Sequence, residues 1–114
     1  MKKYILIKLI DSTTVVGKIK MNNNKEIITI TDPMLYSMKI SPEGTPVMSM
    51  IKYNPFSTTK DISFYYQHII CWYEPNQDLV DYYEKCLNYL NEINKEIEEK
   101  EKIYDNLKIN RHLN

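Results

Sequence analysis

Hydrophobic and polar positions along this chain keep one period up to Pro75 and another beyond it, switching from two residues to about three and a half. Tyr4 to Ile10 alternates with Ile5, Ile7 and Leu9 on one face, which predicts a strand ended by the turn residues Asp11-Ser12-Thr13. From Val15 to Pro33 two more strands are predicted around the polar turn Asn22-Asn23-Asn24-Lys25. In the first, Val15, Gly17, Ile19 and Met21 oppose Lys18 and Lys20; in the second, Ile28 and Ile30 alternate with Thr29 and Thr31. A glycine on the buried face of a strand marks a sharp bend or a close backbone approach, as small closed barrels require.

Met34 to Ile40 continues extended after a bend or edge at Pro33, and Ser41 to Pro46 reads as a loop. Val47, Ser49, Ile51 and Tyr53 then alternate with Met48, Met50, Lys52 and Asn54, until Pro55 to Lys60 breaks the pattern. In the long run Ile62 to Tyr73, the positions Phe64, Tyr66, His68, Ile70 and Trp72 share a side. Twelve residues is long for one strand, so a bend or break is expected near Gln67-His68.

Beyond Pro75, the residues Leu79, Tyr83, Cys86, Leu90, Ile93, Ile97, Lys100, Tyr104 and Leu107 are spaced alternately four and three apart. This is a heptad seam, interrupted only by Lys100, with Asn76 or Asp78 as N-cap. Roughly 30 helical residues would span about 45 Å, longer than the β part is wide. The first half of the helix, carrying Tyr82 and Tyr89, is expected on the sheet. The second half either pairs with a helix of another subunit or is a solvated tail. The organisation expected is a β-barrel over 1–75, with 34–59 as an extended hairpin insertion, and a helix over 76–109.

The net charge is zero but unevenly placed: nine lysines against six acids in residues 1–75, and six bases against nine acids in 76–114. A mildly basic body permits a polyanion partner without requiring one. Two cysteines give no disulfide framework and fit a reducing compartment. The apolar run after Lys3 is too short for a signal peptide, and no stretch reaches the length of a membrane span. A soluble, cytoplasmic protein is expected. Phosphate-loop, dinucleotide and catalytic-triad patterns are absent. His68 and Cys71, three apart on a strand, point to opposite faces and make no metal site. Neither an enzyme nor a cofactor is expected.

Leu9-Ile10-Asp11, then Val16-Gly17-Lys18-Ile19, a polar turn and Ile28-Thr29-Ile30-Thr31-Asp32, together resemble the first signature of Sm-like proteins, the family that includes bacterial Hfq. The ordered set Gly17, Asp32-Pro33, Asn54-Pro55-Phe56, Ile69-Ile70, Glu74-Pro75 and Leu79 to Tyr83 is similar to small Sm-like proteins of marine phages and marine metagenomes. That similarity covers about residues 4–85. Tyr66-Gln67-His68-Ile69-Ile70 resembles the Tyr-Lys-His-Ala-Ile tract of Hfq. The turn lacks the Asp-x-x-Met-Asn pattern, the Arg-Gly of the second eukaryotic motif is absent, and Gln67 replaces the Lys of the Hfq tract.

The resemblance implies a mainly β fold: an Sm-like, strongly bent five-stranded antiparallel barrel, here with an inserted hairpin and a long C-terminal helix. It implies a homo-oligomeric ring of five to seven copies, formed by edge pairing, in the cytoplasm or in the host cytoplasm if phage-encoded. In such rings single-stranded RNA binds near the pore. By position, the residues implied here are Asn22, Asn23, Asn24, Lys25, Tyr66, Gln67 and His68, for U-rich or A-rich RNA. Amides read base edges, Lys neutralises phosphate, and Tyr or His offers a stacking face. The residues themselves leave a second reading open for each: the Asn run is a turn, the tyrosines pack, and His68 is a core or interface residue. A ring that binds a protein partner through 34–59 or the helix, without RNA, is the alternative function.

Overall fold

The structure, a computed structural model, describes the backbone of residues 3–113 and the side chains of residues 3–103. Its elements are β1 (Tyr4–Leu9), β2 (Thr14–Lys20), β3 (Ile27–Ile40), β4 (Pro46–Lys52), β5 (Asp61–Tyr65), a 3-10 turn (Tyr66–His68), β6 (Ile69–Tyr73) and α1 (Gln77–Leu113). All six strands form one antiparallel sheet in the order β4-β3-β2-β1-β6, with β5 also beside β3. The described residues up to Glu84 form one compact unit; the second begins at Lys85 and holds the remainder of α1.

The long strand β3 serves two partners, β5 along Ile27–Thr31 and β4 along Met34–Ile40. Between these halves it bends. Val16 pairs with Met34 but Lys18 pairs with Thr31, so Asp32 and Pro33 together stand opposite Gly17 in a β-bulge. Asp32 has φ 50, a left-handed conformation in which a short polar side chain is tolerated. A Cβ on Gly17 would collide with Ile30 Cγ2 and come within 3.1 Å of the Thr31 carbonyl oxygen and 3.3 Å of Pro33 Cα. The close approach that the glycine implies is therefore present, and it sits at the bend.

Ile5, Ile7, Leu9, Val15, Ile28, Ile30 and Phe64 form the core on one face of the sheet. The other face is buried too: Leu6, Val16 and Met34 are almost inaccessible. The first turns of α1 account for this second layer. Tyr83 is fully buried and its hydroxyl donates to the Asp32 carbonyl oxygen at 2.7 Å, locking the bend from outside. Its ring meets Tyr4 edge-on at 6.0 Å, the Tyr4 hydroxyl donates to Glu84 Oε1 at 2.6 Å, and Lys18 Nζ lies 3.6 Å from the same carboxylate. The helix starts where the sequence places it, with the Asn76 Oδ1 accepting from the Leu79 N–H at 2.9 Å as N-cap.

The run 62–73 is broken as expected, by the turn Tyr66–His68, but its faces differ from simple alternation. The 3-10 turn changes the phase, so Ile69 rather than Ile70 packs beside Leu9 on the core. A second irregularity at Ile70 then puts Trp72 opposite Ile7. His68 and Ile70 are exposed, which corrects the core reading of His68. In the second unit the seam positions Ile97 and Lys100 are exposed. The seam residues Tyr104 and Leu107 lie outside the residues whose side chains are described.

Candidate nucleic-acid interface

The turn between β2 and β3 is built by its own asparagines. Asn22 Oδ1 accepts from the Asn24 N–H at 2.9 Å, Asn24 Oδ1 accepts from the Glu26 N–H at 2.9 Å, and Asn22 Nδ2 donates to Thr29 Oγ1 at 3.0 Å. These are the local side-chain to backbone bonds that favour Asn in turns. Asn22 is thereby used at both ends of its amide, while Asn23 and the Asn24 amide nitrogen have no side-chain bond among the described residues. The Tyr66 N–H donates to the Glu26 carbonyl oxygen at 3.0 Å, which ties the 3-10 turn to the end of this loop.

That tie brings two segments, distant in sequence, to the rim of one cavity of about 480 Å³. Ile5, Ile7, Ile19, Ile27 and Ile28 line it, with Asn22, Asn23, Asn24, Lys25 and Tyr66 among its other walls. The volume is within the range of small-ligand sites, roughly 300–1,000 Å³. Gln67 and His68 do not line it. They are exposed on the adjoining turn, where the His68 ring meets Tyr65 edge-on at 5.8 Å and the His68 carbonyl oxygen accepts from the Ile10 N–H.

Residues outside the sequence-based set line the cavity too, among them Lys3, Trp72, Tyr73 and Glu74. The Trp72 and Tyr66 rings lie 6.2 Å apart at 60°. The aromatic content of the 62–73 run was a signal for them, but alternation alone does not tell which aromatics turn towards the loop once the turn and the irregularity at Ile70 intervene.

Charge around the site is positive but partly compensated. Lys20 Nζ is 2.6 Å from Asp61, whose carboxyl is held below the ordinary carboxylate range, first by that lysine and then by the Thr31 hydroxyl. Lys3 and Lys25 have no carboxylate at ion-pair distance among the described residues.

No protein-family model matches the chain, and no curated protein matches it. The strand order and the bulge that bends β3 are therefore what place it. The sheet is Sm-like in architecture. Among the described residues two borders of this Sm-like sheet lack a strand partner, the outer side of β6 and the outer side of β4 and β5. Among the described residues no group of three or more His, Cys, Asp or Glu is arranged to hold a metal ion. No helix among them is long and apolar enough to cross a membrane.

Proposed function

We propose that this is a non-enzymatic, ring-forming Sm-like protein that binds single-stranded RNA through the β2–β3 turn and the Tyr66–His68 tract. The observation that carries the reading is the single cavity lined by both Asn22–Lys25 and Tyr66. An isoleucine-lined surface beside Trp72 and Tyr66 suits an unstacked base, which any nucleobase satisfies through its π-face. Asn23 and the Asn24 amide nitrogen face no competing partner among the described residues and supply base-edge contacts, with Lys25 for phosphate. Asn22 positions the turn, and Gln67 and His68 meet the strand as it leaves the cavity.

Assembly into a ring rests on the borders. β6 reads Ile-Ile-Cys-Trp-Tyr, an edge strand without a charge, and Ile70, Trp72 and Tyr73 are 57%, 61% and 53% exposed. Edge strands that stay single are usually guarded by charge, proline or bulges; β6 has the irregularity at Ile70 but neither charge nor proline, so Cys71 to Tyr73 is left as a pairing template. The partner on a neighbouring copy is β5, whose outer side is also bare.

The alternative, a ring that binds a protein partner, draws on exposed apolar residues of the β3–β4 hairpin such as Met38 and Ile40. Titration of labelled U-rich and A-rich oligonucleotides separates the two. RNA binding predicts affinity that falls steeply as salt rises, and at least a tenfold loss on changing Lys25 and Gln67 together to Glu. Absence of binding at low salt, by protein of ring mass, rejects RNA and leaves the partner-binding reading.

A further inference from the structure

The hairpin formed by β4 and the second half of β3 carries a border that the ring does not use. Its register, from Met34 opposite Lys52 to Ile40 opposite Pro46, continues to Tyr53, whose N–H donates to the Pro33 carbonyl oxygen at 3.0 Å. Main-chain direction alternates along a strand, so Ile51, Ser49 and Val47 bond inward to β3 while Met48, Met50 and Lys52 present their N–H and C=O groups outward. The Tyr82 hydroxyl reaches the Met48 carbonyl oxygen at 3.2 Å, consistent with that carbonyl facing off the ribbon. A carbonyl has two lone pairs and accepts a second bond.

Beside this strand-free border Val47 and Ile51 are 51% and 60% exposed on one face, flanking Ser49; on the other Met48 is 42% exposed and Met50 is buried. Charge and proline, the usual guards of an edge, stand only at the ends, as Lys52 and Pro46. The five residues between them, Val47-Met48-Ser49-Met50-Ile51, read nearly the same in both directions: a branched residue, Met, Ser, Met, a branched residue.

We infer that β4 pairs antiparallel with β4 of a second copy about a two-fold axis at Ser49, joining two hairpins into one four-stranded ribbon. In that register Val47 faces Ile51 of the other copy, Met48 faces Met50, and the two Ser49 residues face each other. Every apolar side chain then meets an apolar one on its own face. Met48 and Met50 exchange both main-chain bonds across the axis, as their outward groups require. Lys52 falls opposite Pro46, so the strand's one charge never opposes itself. A shift by one residue would bring inward-bonding groups to the border and lose these matches. Self-complementarity of this kind is what an isologous contact needs, and it selects a second copy over an unrelated peptide. Ser49 is already satisfied within its own hairpin, its hydroxyl 2.6 Å from that of Ser37, so the axis leaves no hydroxyl unpaired.

The test is a charge exchange read by particle mass. Val47 and Ile51 are exposed, so both variants keep the fold, which circular dichroism verifies. Val47→Lys with Ile51→Lys opposes like charges across the axis and is expected to halve the mass of the wild-type particle. Val47→Lys with Ile51→Glu opposes unlike charges in the same register and is expected to restore it. An unchanged mass for the double-lysine variant overturns the proposal, and failure of the Lys/Glu pair to restore the mass overturns its register. The factor of two is expected for a single chain and for a ring whose hairpins all meet one second ring, and it is read from mass alone, so the result stands apart from RNA binding.

Discussion

Gly17, Asp32 and Tyr83 set the curvature of the sheet from three segments of the chain. The glycine makes room on β2, the left-handed Asp32 absorbs the extra residue on β3, and the Tyr83 hydroxyl holds the Asp32 carbonyl. Gly17→Ala is expected to lower stability by about 1–3 kcal/mol, because the methyl group it displaces belongs to the fully buried, branched Ile30. A lower midpoint in urea denaturation checks this. Tyr4 and Tyr83 make a second prediction at this scale. The hydrogen bond to Glu84 pushes the Tyr4 phenol up to about 12, and burial, followed by the charge of Asp32, raises Tyr83 as well. A folded-state pKa above the ordinary 10.0 gives stability that is complete below pH 10.0 and lost as pH rises towards 12. Urea titrations at pH 8 and pH 11 are expected to differ in wild type, and the difference to shrink in the Tyr4→Phe, Tyr83→Phe double variant. A difference of the same size in both would contradict the assignment. Of these residues only Gly17 announced its role in the sequence, since a glycine inside an alternating strand has few other reasons to be there. Tyr83 read as a seam and packing position, and its hydrogen bond did not show, because the acceptor is a backbone atom fifty-one positions away.

At the scale of elements, the strands, the Asn turn, the loop Ser41–Pro46, the break in the 62–73 run and the Asn76 cap were all legible, because local period and turn chemistry determine them. Two things were not. The first is that β1 and β2 are buried on both faces: alternation marks Ile5, Ile7 and Leu9 as inward, but Leu6 and Val16 are covered only because α1 returns to the sheet. The second is the phase of β6, which depends on a three-residue turn followed by an irregularity at Ile70 that no local pattern encodes. The candidate site inherits this limit. Asn22 to Lys25 and Tyr66, implied by the resemblance as RNA-contact residues, line one cavity, whereas the place of Trp72 and Tyr73 in it depends on the phase of β6. Asn22 holds the shape of the turn by two hydrogen bonds, which in the proposed RNA-binding reading leaves Asn23 and Lys25 as the residues that meet the ligand.

For the whole molecule, the organising fact is that one bent sheet ends in two uncovered borders. A single copy leaves the uncharged β6 and the outer side of β5 facing water, and leaves the apolar face of Trp72 half in solvent. In the proposed ring, β6 of one copy pairs with β5 of the next; that head-to-tail contact satisfies both borders, and its closure distinguishes a ring from a filament. The β4 border then lies free for the two-fold contact between hairpins. The most direct measurement is particle mass by light scattering at micromolar concentration. A ring closed through β6 gives at least five copies of the 13.7 kDa chain per particle, and collapse to no more than two copies when Ile70 and Trp72 on β6 are both changed to Lys. A wild-type mass of one or two chains would contradict it.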